Sequence, residues 1–174
     1  MRKFRTTARI LGVVAAAALG LAMLPASPAG GATSRLKVCD QNHPGYTAEV
    51  DTDGDDDFTP GDVELFQDKL LDPRTGRKAG RDVGRFTLVR RFGEEHSEEF
   101  DGLLLVDAMF FFPTGKISVY GSFKFSDFGQ ERGINLPITG GTGRYEGATG
   151  VLNVQQHGCD GKSGSVFRFH ITKP

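Results

Sequence analysis

The chain has 174 residues, with 21 basic and 22 acidic side chains and a formal net charge of −1. This length is enough for one domain with a sizeable core and too short for two ordinary domains. The charge balance excludes the strongly basic class of nucleic-acid-binding proteins, so we expect no nucleic acid partner.

Residues 1–32 follow the three-part pattern of a secretory signal peptide. The basic run "MRKFRTTAR" precedes an apolar run, "ILGVVAAAALGLAML", and a small-residue stretch, "PASPAGGATS". The apolar run is short for a membrane span, and an uncleaved anchor is the alternative. We expect cleavage after Ala32, with Ala29 as a competing site, and a secreted, extracellular product without a membrane span. Cleavage would leave 17 basic and 22 acidic side chains, a net charge of −5.

Two cysteines, Cys39 and Cys159, lie near opposite ends of the chain that follows this leader. Export would expose both thiols to an oxidising compartment, in which cysteines pair. Their spacing lacks the C-x-x-C pattern of redox-active pairs. The sequence therefore predicts one disulfide, Cys39–Cys159, that ties the two ends of the domain together.

The acidic run "DTDGDDDFTPGD" places carboxylates at every second position, at Asp51, Asp53, Asp55 and Asp57. This spacing is typical of loops that wrap a calcium ion, but an EF-hand also needs glycine at its sixth place and glutamate at its twelfth. No register of this run meets both conditions. The run is either an irregular calcium site formed by these four residues or a solvated acidic loop, and we expect no other cofactor.

Strand patterns dominate the chain from residue 44 onward. In "KISVYGSFKFSDF", apolar and glycine positions alternate strictly with polar ones, which is the period of a half-buried strand. Similar segments are "YTAEVD", "GDVELFQDKLL", "GRFTLVRRF", "GLLLVDAMFFF", "GINLPIT", "ATGVLNVQQH" and "SVFRFHI". The sequence thus predicts eight strands and no sustained helix.

The connectors between these segments are short and rich in turn-forming residues. They cannot hold crossover helices, so successive strands should pair antiparallel. The expected fold is all-β, an eight-stranded antiparallel up-and-down barrel that removes exposed sheet edges, and a two-sheet sandwich is the alternative. Residues 33–60 would supply the N-terminal strand and the acidic loop, and residues 61–174 the remainder of the single barrel domain.

The glycine-rich stretch "LPITGGTGRYEGATG" could form a phosphate-binding loop or a tight turn. Phosphate loops lead from a strand into a helix, whereas a further strand pattern follows here. The glycines are therefore predicted to form a hairpin corner.

Three consecutive phenylalanines, Phe110, Phe111 and Phe112, must point to both faces of their strand. We expect one face to join the core and the other to form an oligomer contact, with a membrane-touching patch as the alternative.

Five segments follow the order of a known family: "GDVELFQDKLLD", "GRKAGRDVGRFTLV", "GKISVYG", "ITGGTGRYEGATGVLNVQQ" and "FRFHI". From about Gly61 to Ile171 the chain resembles the allene oxide cyclase barrel family, a relative of the plant dirigent proteins, and looks like a secreted bacterial member. The resemblance implies an eight-stranded barrel with a cavity for a small apolar molecule, assembled as a homodimer or trimer. It also implies that the barrel acts by holding a reactive or flexible substrate in one conformer.

The resemblance assigns site positions one at a time. The family's first-strand glutamate corresponds to Glu49, the candidate catalytic group, and its second-strand amide to Asp68. The active-site cysteine and tyrosine of the plant cyclase correspond to Phe86 and Phe123, and a nearby aromatic is kept as Phe100. Because phenyl rings replace a thiol and a phenol, allene oxide cyclase activity itself is not expected.

Two functions of different classes follow from this reading. One is an isomerase-type cyclase or dirigent-like protein that uses Glu49 in a cavity lined by phenylalanines. The other is a secreted binding module that holds a small apolar ligand or docks a partner without catalysis. Whether the protein is an enzyme is left open at this point.

Overall fold

A computed structural model describes residues 31–41, 47–55, 57–93, 101–156 and 164–174. The strands are β1 (Ala32–Gln41), β2 (Ala48–Val50), β3 (Val63–Leu71), β4 (Lys78–Phe92), β5 (Asp101–Phe112), β6 (Gly115–Lys124), β7 (Ile134–Gly143), β8 (Thr149–Gln155) and β9 (Val166–Lys173), with a short helix, α1 (Phe125–Phe128), between β6 and β7. Within these ranges, no helix is long and apolar enough to cross a membrane.

The nine strands form one sheet in the order β1-β9-β8-β7-β6-β5-β4-β3-β2, and β1 also pairs with β3. All the pairings are antiparallel, and the β1–β3 pairing closes eight of the strands into a ring. The all-β, eight-stranded antiparallel barrel expected from the sequence is thereby confirmed. β1 and β2 share one edge of β3, because β2 pairs with Val63–Leu65 and β1 with Lys69–Leu71.

The strand that closes the ring is not the one expected from the sequence. Within the segment "YTAEVD", β2 takes Ala48–Val50, while β1 runs beside β9 from the pair Ala32–Lys173 to the pair Cys39–Val166. The sequence signal of β1 is weak because five of its nine described side chains are exposed. Among these nine, only Val38 and Cys39 are buried, with Leu36 packed against the core.

The barrel interior follows the alternation of the strands. In β6, Ile117, Val119 and Phe123 are buried, as the sequence pattern predicts. Phe125 leaves that pattern because it begins α1, and 41% of its surface is exposed. Phe169 is fully buried at the closed end of the barrel, where its ring lies 5.0 Å from that of Phe110.

The three consecutive phenylalanines of β5 alternate between the faces of the sheet, as predicted. Phe110 is buried, and the ring of Phe112 lies 5.9 Å from Phe169. Between them, Phe111 is covered by two cations, with the Arg81 guanidinium 4.5 Å and the Lys116 ammonium 5.1 Å from its ring centre. Cation–π contacts of this kind let an aromatic ring lie on the outer surface without joining the core.

The glycine-rich stretch forms the corner between β7 and β8. Gly143 ends β7 with a φ of +61°, a left-handed conformation that glycine adopts without strain. A Cβ at Gly141 would lie 2.3 Å from the carbonyl oxygen of Tyr145, so the strand can approach the turn only at a glycine. A strand and not a helix follows, in agreement with the predicted hairpin corner.

Candidate functional site

A cavity of about 560 Å³ occupies the end of the barrel where β4, β6 and β8 end. One side of it is lined by aromatic and aliphatic side chains from β3 to β9 and from α1, and the other by carboxylates of β1, β3 and β4. Leu70 and Ile117, both 0% exposed, close the barrel on the far side. This volume lies within the range of pockets that hold small organic molecules.

A chain of phenylalanine rings forms the aromatic wall of the cavity. The ring of Phe66 stacks on Phe86 at 4.7 Å, Phe86 meets the edge of Phe123 at 5.9 Å, and Phe123 lies 6.0 Å from Phe128 of α1. Gly84 makes room for this arrangement, because a Cβ there would lie 2.5 Å from Cζ of Phe66. The Phe66 ring can therefore lie against β4 because residue 84 has no side chain.

Four carboxylates form the acidic wall: Asp40 from β1, Glu64 and Asp68 from β3, and Asp82 from β4. In β3 the residues at 64, 66, 68 and 70 share the inward face, because alternate side chains point to the same side of a strand. Asp68 lies directly opposite Asp82 in the sheet, and Asp40 lies opposite Leu70. Among the described residues that line the cavity, none is basic.

Asp82 is the most deeply buried of these acids, with 1% of its surface exposed. Its Oδ1 accepts a hydrogen bond of 3.0 Å from the backbone N–H of Asp68. Burial, followed by the charge of Asp68, raises the pKa of Asp82 to about 7.

Asp40 is fixed by its backbone, whose N–H donates to the carbonyl oxygen of Ser165 at 2.8 Å. Its Oδ1 is buried and has no hydrogen-bond partner among the described residues. Burial raises the pKa of Asp40 to about 8, with smaller contributions from the charges of Asp68 and Asp82. Nearer the barrel end, burial and then the charges of Glu49 and Asp68 raise the pKa of Glu64.

The acidic wall therefore holds protons at neutral pH. A carboxylic acid with a pKa near 7 or 8 can donate a proton to a bound molecule, and its conjugate base can accept one, without a large free-energy difference between the two forms. The apolar wall strengthens any such interaction because it keeps water away from it.

Some of the site residues expected from the sequence line the cavity, and others do not. Asp68, Phe86 and Phe123 line the cavity. Phe100 lies outside the described residues. Glu49 is exposed on β2 and is not among the residues that line the cavity, whereas Glu64, directly opposite it in the β2–β3 pairing, lines the cavity.

Sequence reasoning missed three of the cavity acids, Asp40, Glu64 and Asp82. Their positions in the alternation of inward and outward side chains could have identified them. Asp82, for example, shares the inward face of β4 with Phe86 and Leu88. An acidic residue at a position reserved for apolar side chains marks a buried carboxylate.

The acidic loop between β2 and β3 brings Asp51, Asp53 and Asp55 together with Asp62, with ligand-type oxygens within 4.8 Å of one another. Asp57, one of the four residues expected, is not in this group. These oxygens are of the type that calcium prefers.

Asp62 already has a structural role in this loop. Its two oxygens accept hydrogen bonds from the backbone N–H groups of Thr52 and Thr59, each at 2.7 Å, and from both threonine hydroxyls. These backbone hydrogen bonds, with Thr59 first and Thr52 second, lower the pKa of Asp62. Calcium binding by this loop therefore stays a prediction.

Cys39 is buried in β1, and Cys159 lies outside the described residues, so the disulfide between them stays a prediction.

Three solved structures of similar fold are named for the reactions that they promote. A pyocyanin demethylase shares 20% identity over 81% of this chain and 100% of its own, with a TM-score of 0.56. An exo-specific intermolecular Diels-Alderase shares 16% over 82% and 99% of the two chains, with a TM-score of 0.56. A pterocarpan synthase dirigent protein shares 17% over 81% and 94%, also with a TM-score of 0.56. At these identities the likeness establishes the fold alone.

The match to a family model agrees with the observed fold. No curated protein matches the chain. Residues 45–167, which include β2 to β8 and the cavity phenylalanines, match the allene oxide cyclase barrel like domain, and the chain therefore belongs to the allene oxide cyclase barrel-like family.

Proposed function

We propose that this barrel binds a small, largely apolar molecule in its cavity and that the cavity aspartates Asp40 and Asp82 exchange a proton with it to promote an isomerisation or ring closure. The observation that carries the proposal is the pairing of an apolar cavity of about 560 Å³ with two aspartates, Asp40 and Asp82, whose pKa values are raised to about 8 and about 7. Solvent-exposed aspartates would be fully ionised at neutral pH and poor proton donors.

The two walls of the cavity have different parts in the proposed reaction. The phenylalanine wall selects one folded conformer of the ligand, and correct positioning alone can supply a large part of the rate effect. The acidic wall supplies proton transfer, which typically contributes about 10²- to 10⁴-fold. A proton passes from one carboxylic acid to an oxygen or an unprotonated nitrogen of the ligand, and the rearranged ligand returns a proton to the same carboxylate. The protein ends in its starting state, so an isomerisation needs no oxidant or reductant.

The second candidate is a secreted binding module without catalysis. The leader pattern of residues 1–32 favours it, because export would take the protein away from most biosynthetic intermediates. Secretion itself, like assembly into a dimer or trimer, is a proposal supported by the sequence.

The test is to analyse protein purified from its own host by native mass spectrometry and to identify any small molecule that it carries. The same molecule is then incubated with wild type, Asp40→Asn, Asp82→Asn and Glu49→Gln. We expect conversion by wild type and by Glu49→Gln, with at least about a hundredfold loss in the two cavity variants. A ligand that stays unchanged supports the binding module. A protein that retains no ligand and excludes apolar probes from the cavity contradicts both candidates.

A further inference from the structure

We infer that the ligand of this cavity is an organic cation, an apolar molecule that carries a protonated or quaternary nitrogen. The inference rests on the proposed function in so far as the cavity must hold a ligand. It names the chemical class of that ligand from the charges and rings that the cavity presents.

All the ionisable side chains that the described residues contribute to the cavity lining are acidic. Asp40, Glu64, Asp68 and Asp82 line it, and no basic side chain does so among the described residues. The strands β5 to β9 contribute only apolar side chains to the lining. Buried carboxylates are ordinarily matched by a cation, because an ionised carboxylate without a partner is costly in an apolar site. Without such a partner, Asp40 and Asp82 hold protons instead, and a cationic ligand would replace one of these protons.

Asp40 carries a hydrogen-bond acceptor that is available to a ligand. Oδ1 of Asp40 is buried and accepts no hydrogen bond from the described residues. A buried acceptor without a donor lowers stability, so its retention calls for another explanation, such as a bound partner. An ammonium N–H, or the positive rim of a quaternary nitrogen, would satisfy it.

The aromatic wall is the third feature of the cavity that suits a cation. Within the described ranges, cation–ring contacts occur at Phe92, Phe111 and Tyr145, whose partners are lysines and arginines of the protein. The rings of Phe66, Phe86 and Phe123 line the cavity and contact one another. Aromatic faces of this kind bind quaternary and protonated amines in other proteins.

The same inventory argues against an acidic ligand, and the pH dependence of binding separates a cation from a neutral ligand. An apolar acid, such as a fatty acid, would place a second negative charge beside Asp68 and Asp82. A neutral molecule with a carbonyl group could bind only the protonated form of Asp40 or Asp82, and its affinity would fall as pH rises. A cation binds the ionised form and displaces a proton, so its affinity rises with pH over the interval in which Asp82 and Asp40 titrate, near 7 and 8.

The test uses three naphthalene probes of matched shape on the full chain. One is (naphthylmethyl)trimethylammonium, whose charge does not depend on pH, the second is its neutral carbon isostere, and the third is naphthylacetate. Dissociation constants are measured at pH 6 and pH 8 by calorimetry in two buffers with different ionisation enthalpies, which also counts the protons released on binding.

We expect the cation to bind about tenfold more tightly than its neutral isostere at pH 8 and to release a proton at pH 7. The double variant Asp40→Asn/Asp82→Asn should lose this preference while it still binds the neutral probe, which shows that the cavity is intact. The matched control is Asp107→Asn, on the exposed outer face of β5, which should behave as wild type.

The possible outcomes separate the two proposals. Equal or tighter binding of the neutral isostere at pH 8, or affinity for the cation that does not rise with pH, overturns the cationic ligand and leaves the cavity proposal standing. Tight binding of naphthylacetate overturns it as well. Failure of all three probes to bind overturns the ligand-binding cavity itself.

Discussion

At the scale of single residues, the cavity depends on positions where a side chain is small or carries charge. Gly84 has no side chain at the point where the Phe66 ring crosses β4. Asp40 and Asp82 place carboxyl groups at inward positions that apolar residues hold elsewhere in the barrel. The geometry of the aromatic and acidic walls therefore depends on a few residues, and the strands around them form the rest of the barrel.

Substitution Gly84→Ala should disrupt the aromatic wall. The new methyl group would lie 2.5 Å from Cζ of Phe66 and 2.7 Å from the carbonyl oxygen of Asp107, so the ring must move and β5 must shift. We expect a loss of about 1–3 kcal/mol in the free energy of unfolding, the usual range for overpacking, and weaker binding of apolar probes. Chemical denaturation measures the first effect and fluorescence titration the second.

The matched control for this change is Gly140→Ala in β7. A Cβ at Gly140 meets nothing within 4 Å, so this variant should keep both stability and probe binding. Equal behaviour of the two alanine variants would contradict the role assigned to Gly84.

At the scale of elements, the sequence predicted regular strands better than strand partners. Alternation in β6 identified Ile117, Val119 and Phe123 as interior residues, because the alternation depends only on the residues of that strand. The pairing of β1 with β3 depends on contacts between distant parts of the chain, and local alternation does not encode it. That is why Asp40 was missed. Glu49 was assigned to the cavity by the family resemblance alone, and it lies exposed on β2 directly opposite Glu64, which lines the cavity.

The acidic loop is a second element whose role depends on tertiary contacts. Asp62 anchors it through Thr52 and Thr59, and the pKa of Asp62 is lowered by the hydrogen bonds that it accepts. Its contribution to stability is present above the pKa of the unfolded chain, near 3.8, and is lost as pH falls through the lower folded value. Substitution Asp62→Ala should therefore lower the melting temperature at pH 7 and have a smaller effect at pH 3, as measured by calorimetry.

Calcium can be tested in the same loop with the same instrument. If Asp51, Asp53 and Asp55 hold the ion, millimolar calcium should raise the melting temperature of chelator-treated protein. The variant Asp53→Asn/Asp55→Asn should lose that response. An unchanged wild-type melting temperature rejects a structural calcium site and leaves the loop as a solvated acidic turn.

At the scale of the whole molecule, the acidic wall makes the free energy of unfolding depend on pH. The folded protein holds protons on Asp82 and Asp40 up to pH of about 7 and about 8, whereas the unfolded chain releases them near the ordinary value of 3.8. The folded state binds more protons between these values, so stability falls as pH rises from about 4 to 8 and levels off above. Each unit of pKa difference corresponds to about 1.4 kcal/mol.

The variants Asp40→Asn and Asp82→Asn should therefore be more stable than wild type at pH 8, with a difference that shrinks towards pH 4. Thermal melts across this interval measure the effect. Asp107→Asn, on the exposed outer face, should follow the wild-type curve. Parallel curves for all four proteins would show that the cavity acids titrate as ordinary surface groups.

The central claim is that the cavity holds carboxylic acids that exchange protons near neutral pH. Its most direct test is a ¹³C NMR titration of the aspartate carboxyl groups in the full chain, with signals assigned from their loss in Asp40→Asn and Asp82→Asn. The account predicts one signal that titrates near pH 8 and one near pH 7. Titration of both carboxyl groups below pH 5 would contradict it, because the cavity would then have no proton to exchange with a ligand.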